Sequence, residues 1–85
     1  MNYLLSAHAR EELERRQIPL VLLENVLSDP EQKVPGHEGI RCYQSRVTLG
    51  EKQYLLRVMV NETTAPLTVV TVYRTSKLAK YWSTL

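Results

Sequence analysis

From Ile40 to Arg74 the chain is built almost wholly of strand-forming segments. Ile40–Leu49, Gln53–Val60 and Leu67–Arg74 are rich in Val, Tyr, Thr and Leu, and are parted by Gly50-Glu51-Lys52 and by the longer turn Asn61 to Pro66. In the middle segment Tyr54, Leu56, Val58 and Val60 alternate with Gln53, Leu55, Arg57 and Met59, which predicts one wholly apolar face and one face carrying Arg57. The third segment is apolar on both faces until its end, as expected of a strand with neighbours on both sides. In 85 residues these strands leave room for one sheet and a few covering helices, so residues 1–85 are expected to form a single domain.

The first half reads as helical. Ser6 is positioned to cap a helix from Ala7 to about Arg16, with Arg15 and Arg16 at its C-terminal end, where the dipole favours cations. Its apolar face is thin, chiefly Ala9 and Leu13. A second helix follows Ile18, with Pro19 in its first turn, a broad stripe of Leu20, Leu22, Leu23, Val26 and Leu27, and a stop at Asp29-Pro30. Glu31 to Gly39 reads as a loop with one short extended piece around Lys33-Val34. Thr75 to Trp82 reads as a short helix capped by Ser76, docking Leu78, Tyr81 and Trp82 on the sheet and projecting Lys77 and Lys80. The expected order is α-α-β-β-β-α. Its class is α+β, with two N-terminal helices packed on a small antiparallel sheet and a short C-terminal helix.

The lone Cys42 excludes an internal disulfide and multi-cysteine zinc sites. No basic leader and no apolar run of about 18 residues is present, so a soluble, cytoplasmic protein with no membrane partner is expected. The net charge of +2 hides a division. Residues 1–40 carry four basic and seven acidic side chains, a balance of −3, while residues 41–85 carry seven basic side chains against Glu51 and Glu62, a balance of +5.

No phosphate-binding glycine loop, no His-Glu-x-x-His and no Gly-x-Ser-x-Gly is present, so no metal and no cofactor is expected. His8 and Glu12 read as a surface pair, and His37 falls in the loop. The cations of the basic half, Arg41, Arg46, Arg57, Arg74, Lys77 and Lys80, are interleaved with Tyr43, Tyr73 and Tyr81. Cations contact phosphates and aromatic faces stack on bases, a pairing that suits single-stranded RNA. The competing reading is that these cations solvate the sheet edges. Arg57 stands out because it interrupts an apolar strand. It must either pair with a carboxylate such as Glu24 or line a groove open to an anion.

Ser6-Ala7-His8-Ala9-Arg10, Arg15-Arg16-Gln17-Ile18, Val26-Leu27-Ser28-Asp29-Pro30 and Val69-Val70-Thr71-Val72-Tyr73-Arg74-Thr75-Ser76-Lys77 together resemble the bacterial domain-of-unknown-function family numbered 4258. That family in turn resembles the RelE/ParE toxins. The resemblance implies a RelE-like fold, a toxin-like protein neutralised by a cognate antitoxin, and metal-independent cleavage of RNA on or off the ribosome, with a homo-oligomer compatible. In such a reaction the substrate's own 2′-OH attacks the adjacent phosphorus, so the protein supplies a base, an acid and cations for the phosphorane. The resemblance then casts Arg57 and Arg74 as a phosphate clamp, Lys77 or His8 as acid or base, and Tyr81 as a stacking or proton-transferring group. Arg41, Arg46, Lys80 and Tyr73 extend the RNA contact. The alternative is a non-enzymatic module that binds protein or nucleic acid through the same basic surface.

Overall fold

A computed structural model describes residues 2–84. The chain runs β1 (Tyr3–Leu5), α1 (Ala7–Arg15), α2 (Leu20–Ser28), β2 (Gln32–Pro35), β3 (Ile40–Leu49), β4 (Lys52–Asn61), β5 (Leu67–Thr75) and α3 (Leu78–Tyr81). The strands form one five-stranded sheet in the order β1-β5-β4-β3-β2. All neighbours are antiparallel except β1 and β5, which run parallel with Tyr3 opposite Leu67.

This corrects the expected arrangement. The α+β class stands, but the chain does not open with two helices on a small antiparallel sheet, and the RelE-like description goes with that arrangement. It opens with a strand, and the sheet is larger and mixed because β1 and β2 add an edge on each side. Three residues are too few for alternation to reveal β1, and the short piece seen around Lys33-Val34 is the middle of β2. The extra strand also explains β5, which is apolar on both faces because it lies inside the sheet.

Local chemistry sets the helix ends. Ser6 caps α1: its Oγ accepts the Ala9 N–H at 3.0 Å and donates to the Val70 carbonyl at 2.8 Å, tying the helix start to β5. At the other end Gln17 takes a positive φ of 52°, and Ile18 N–H reaches back to the Leu13 carbonyl at 2.9 Å while Gln17 N–H reaches Glu14 at 3.2 Å. This is a Schellman closure, and it packs Ile18 against the helix turn that it leaves. Pro19 precedes the first turn of α2, with extended backbone, instead of lying within it.

Helices α1 and α2 cover one face of the sheet. Ala9, Leu13, Leu23, Val26 and Leu27 meet Tyr43, Leu56, Val58, Val60, Val69 and Val72 in the main core. Opposite residues in the strand register share a face, so Leu55, Arg57 and Met59 lie on the other side with Cys42, Gln44, Tyr73 and Thr71. The C-terminal segment reaches this second face. Glu12 is the buried acid of α1: it accepts from Arg15 Nε at 2.9 Å and from Arg16 Nε at 3.2 Å, and the Arg15 bonds hold its carboxyl below the usual carboxylate range.

Leu56→Ala removes a fully buried side chain from the main core and is expected to cost about 2–5 kcal/mol in chemical denaturation. A depressed carboxyl adds stability above its unfolded value and loses it as pH falls through its folded value. Acidification below the ordinary carboxylate range should therefore destabilise the wild type more than Glu12→Gln, as thermal melts against pH will record.

Candidate nucleic-acid interface

The face of the sheet away from α1 and α2 centres on Arg57. Its Nε donates to Gln44 Oε1 at 2.9 Å and its Nη1 to the Tyr73 hydroxyl at 2.5 Å. The guanidinium carbon lies 4.5 Å from the centre of the Tyr81 ring and 5.7 Å from that of Tyr73, and the two rings meet edge to face at 6.4 Å. Arg57 therefore does not pair with Glu24, which instead accepts the Tyr3 hydroxyl at 3.2 Å on the helical side. Among the described residues no carboxylate lies in salt-bridge range of Arg57. Arg57 also approaches the Cys42 thiol, and it is only half-buried, lining an open groove.

Gln44 aims this cation. The side chain is fully buried, and its Nε2 donates to Gln32 Oε1 at 2.8 Å and to the Tyr81 carbonyl at 3.1 Å. Gln32 continues the chain of bonds, donating to the Ser83 carbonyl at 2.6 Å and accepting the Ser83 N–H at 3.1 Å. Two glutamines on neighbouring strands thus pin the C-terminal segment across the sheet and lay Tyr81 on Arg57. The helix itself is one turn, Leu78–Tyr81; Lys77, not Ser76, precedes it, with no side-chain cap.

Beside Arg57 runs a groove of about 370 Å³, with Arg57, Cys42, Met59 and Thr71 on the strands, Val70 at its edge, and Pro35, Gly36, His37 and Ile40 from the β2–β3 hairpin. Two backbone features make it. The β4–β5 pairing slips by one residue between Met59 and Val60, so Val70 is inserted beside Thr71 and both reach the groove. The hairpin closes tightly, with Gly36 N–H bonded to the Ile40 carbonyl at 2.9 Å; a Cβ on Gly36 would stand 2.4 Å from that oxygen, so only glycine fits. Cys42 forms part of the floor but is fully buried, and burial pushes its thiol above the ordinary range.

The remaining candidate residues are dispersed. His8 is exposed on α1 with Nε2 3.8 Å from Glu12, on the helical side. Arg74 shares that side, stacked 4.7 Å from the Tyr54 ring, as does Arg41, 3.7 Å from Glu62. Glu62 also accepts the Tyr43 hydroxyl, and burial, with this bond second, pushes Tyr43 up to about 12. Arg46 lies on the Arg57 side but is committed to Glu31 at 2.7 Å and to the Trp82 ring at 4.4 Å. Lys80 sits 5.2 Å from the Tyr81 ring, and Lys77 is exposed before α3. The structure thus gathers Arg57, Tyr73, Tyr81 and Lys80, and leaves His8, Arg41 and Arg74 on the opposite face.

Sequence reasoning passed over Gln44, Gln32 and His37. A buried glutamine has no pattern in a strand until its register partner is known. The turn Gly36-His37-Glu38-Gly39 does carry a signal: glycines at both ends suit a tight hairpin, and His37 within it is among the groove's lining residues.

Gln44→Leu strands the Arg57 Nε and the Tyr81 carbonyl, so a loss of about 1–3 kcal/mol is expected. Emission from Trp82, the one tryptophan, should shift to the red as the C-terminal segment loosens. Thiol labelling of Cys42 should be slow in the native protein and fast only in denaturant.

Residues 5–74 match the family described as Domain of unknown function (DUF4258). No curated protein and no solved structure matches the chain. The match covers most of the sequence, and the chain belongs to this family.

Proposed function

We propose that this member of the DUF4258 family binds single-stranded RNA across the Arg57 face of its sheet and acts as a toxin-like, metal-independent endoribonuclease held in check by an antitoxin. The observation that carries the reading is the Arg57 guanidinium: half-buried, oriented by Gln44 and Tyr73, stacked on Tyr81, free of carboxylates in salt-bridge range among the described residues, and lining an open groove. A guanidinium in that condition is prepared for a phosphate, which accepts paired N–H bonds, and tyrosines beside it offer faces and edges to bases. Cleavage needs no metal. In this reading the 2′-OH attacks its own phosphorus as its proton passes to solvent water, the bond from phosphorus to the 5′ oxygen breaks, Arg57 holds the charge on the phosphorane oxygens, and the Tyr73 hydroxyl protonates the departing 5′ oxygen and is itself reprotonated from water.

A second reading, binding without cleavage, is favoured by the placement of His8 on the far side of the sheet, away from Arg57. The two differ in one measurement. Fluorescence anisotropy with a labelled RNA oligomer at low salt in EDTA should show binding that weakens about 10- to 100-fold in Arg57→Ala, with an unchanged circular dichroism spectrum. Unchanged binding in that variant removes the RNA reading altogether. Cleavage of the same RNA, and growth arrest on expression, both lost in Arg57→Ala and Tyr73→Phe, support the enzyme; binding with no cleavage leaves the binding module.

A further inference from the structure

The groove beside Arg57 is not accounted for by phosphate contacts. At about 370 Å³ it lies near the lower end of small-molecule sites, room for one nucleoside and little more. Pro35, Ile40, Met59 and Val70 give it apolar walls, while His37, Thr71 and Arg57 contribute polar groups to the lining. Val70 is 36% exposed although it belongs to an interior strand, because the register slip turns it outward. A tight hairpin that tolerates only glycine at position 36 and a strand irregularity at Val70 converge on the same groove. Both are backbone devices that shape a surface instead of filling a core.

We infer that this groove receives the nucleobase next to the phosphate held by Arg57, with the base between the apolar walls and its polar edge toward His37 and Thr71. The inference rests on the RNA reading above and deepens it by assigning the base its own pocket, distinct from the Tyr73 and Tyr81 rings. Charge complementarity selects this occupant. No acidic side chain lines the groove, and Arg57, which does, has no carboxylate in salt-bridge range among the described residues, so an anionic group is favoured beside the base. A planar base has apolar faces and a hydrogen-bonding edge, which is the distribution the groove presents. The competing occupant is an apolar C-terminal residue of a peptide, its carboxylate on Arg57.

The test uses the intact ¹⁵N-labelled protein and four probes: nucleoside monophosphates, ribose 5-phosphate, inorganic phosphate, and an eight-residue peptide with an apolar C-terminal residue, either free or amidated. Nucleoside monophosphates are expected to shift the amides of Gly36, His37, Val70 and Thr71 saturably. Ribose 5-phosphate, lacking the base, should bind about tenfold more weakly and leave those amides in place. Thr71→Val, which keeps strand propensity and shape, and His37→Ala, at an exposed turn position, should both weaken nucleotide binding without changing that of ribose 5-phosphate. Equal affinity for nucleotide and ribose phosphate overturns the inference, as do base-dependent shifts confined to Tyr81 and Trp82. Tighter binding of the free-carboxylate peptide than of any nucleotide, abolished by amidation, overturns it in favour of a peptide site. The two readings fail separately. If the groove inference falls, Arg57→Ala still weakens RNA binding; if the RNA reading falls, the oligomer binds that variant as it binds wild type.

Discussion

A fully buried glutamine amide organises the second face of this protein. Gln44 accepts from Arg57 and donates to Gln32 and to the Tyr81 carbonyl, so one side chain joins β2, β3, β4 and the C-terminal segment. Burying an amide is costly unless its hydrogen bonds are made, and here they can be made in only one arrangement of the surrounding groups. The amide's orientation then dictates Arg57's: the oxygen must face the guanidinium because the nitrogen is spent on Gln32 and Tyr81. The direction of the one carboxylate-free cation at the centre of the face is thus a consequence of core polarity on a neighbouring strand.

The charge division along the chain takes on a different meaning in three dimensions. The positive half does not become a uniformly positive surface. Arg46 is engaged by Glu31, Arg41 lies beside Glu62, and Arg74 turns to the helical side to cover Tyr54. Stacking on tyrosine and tryptophan occupies Arg46, Arg74 and Lys33, whose stems shield aromatic surface at the sheet margins. Lys52, Lys77 and Lys80 stay exposed, and the one half-buried, hydrogen-bonded cation at the centre of the second face is Arg57. A focused cation discriminates by geometry, whereas a diffuse basic surface attracts any polyanion with a strength set by salt.

Much of the sheet was legible in the sequence because β3, β4 and β5 are long enough for period-two alternation to show. The two faces read from Tyr54–Val60 are the faces the register produces, with Arg57 opposite the helical side. The Ser6 cap was legible because capping is local chemistry. β1 was not, since three residues carry no periodicity and its existence depends on a partner strand far along the chain. At the site, Arg57 was visible as a charge interrupting an apolar run, and Tyr81 by its spacing in the last segment. His8 and Arg74 were misleading because residue type is visible in sequence, but the face on which it falls is settled by tertiary packing. His37 reads as a loop residue in the sequence, yet the glycine-bounded turn that carries it is held by two backbone hydrogen bonds.

The pairing of β1 with β5 also orders events during synthesis. β1 and the cap residue Ser6 meet β5 across a separation of 64 residues, and among the described residues no other strand borders β1. The long return delays completion of the sheet until β5 is available, as in any topology dominated by distant contacts. Gln44, on β3, cannot fill its hydrogen bonds until Tyr81 has been made. A nascent chain therefore acquires its anchored Arg57 face only once Tyr81 and Ser83 have been made, and a truncation that removes α3 leaves the guanidinium without the Tyr81 ring.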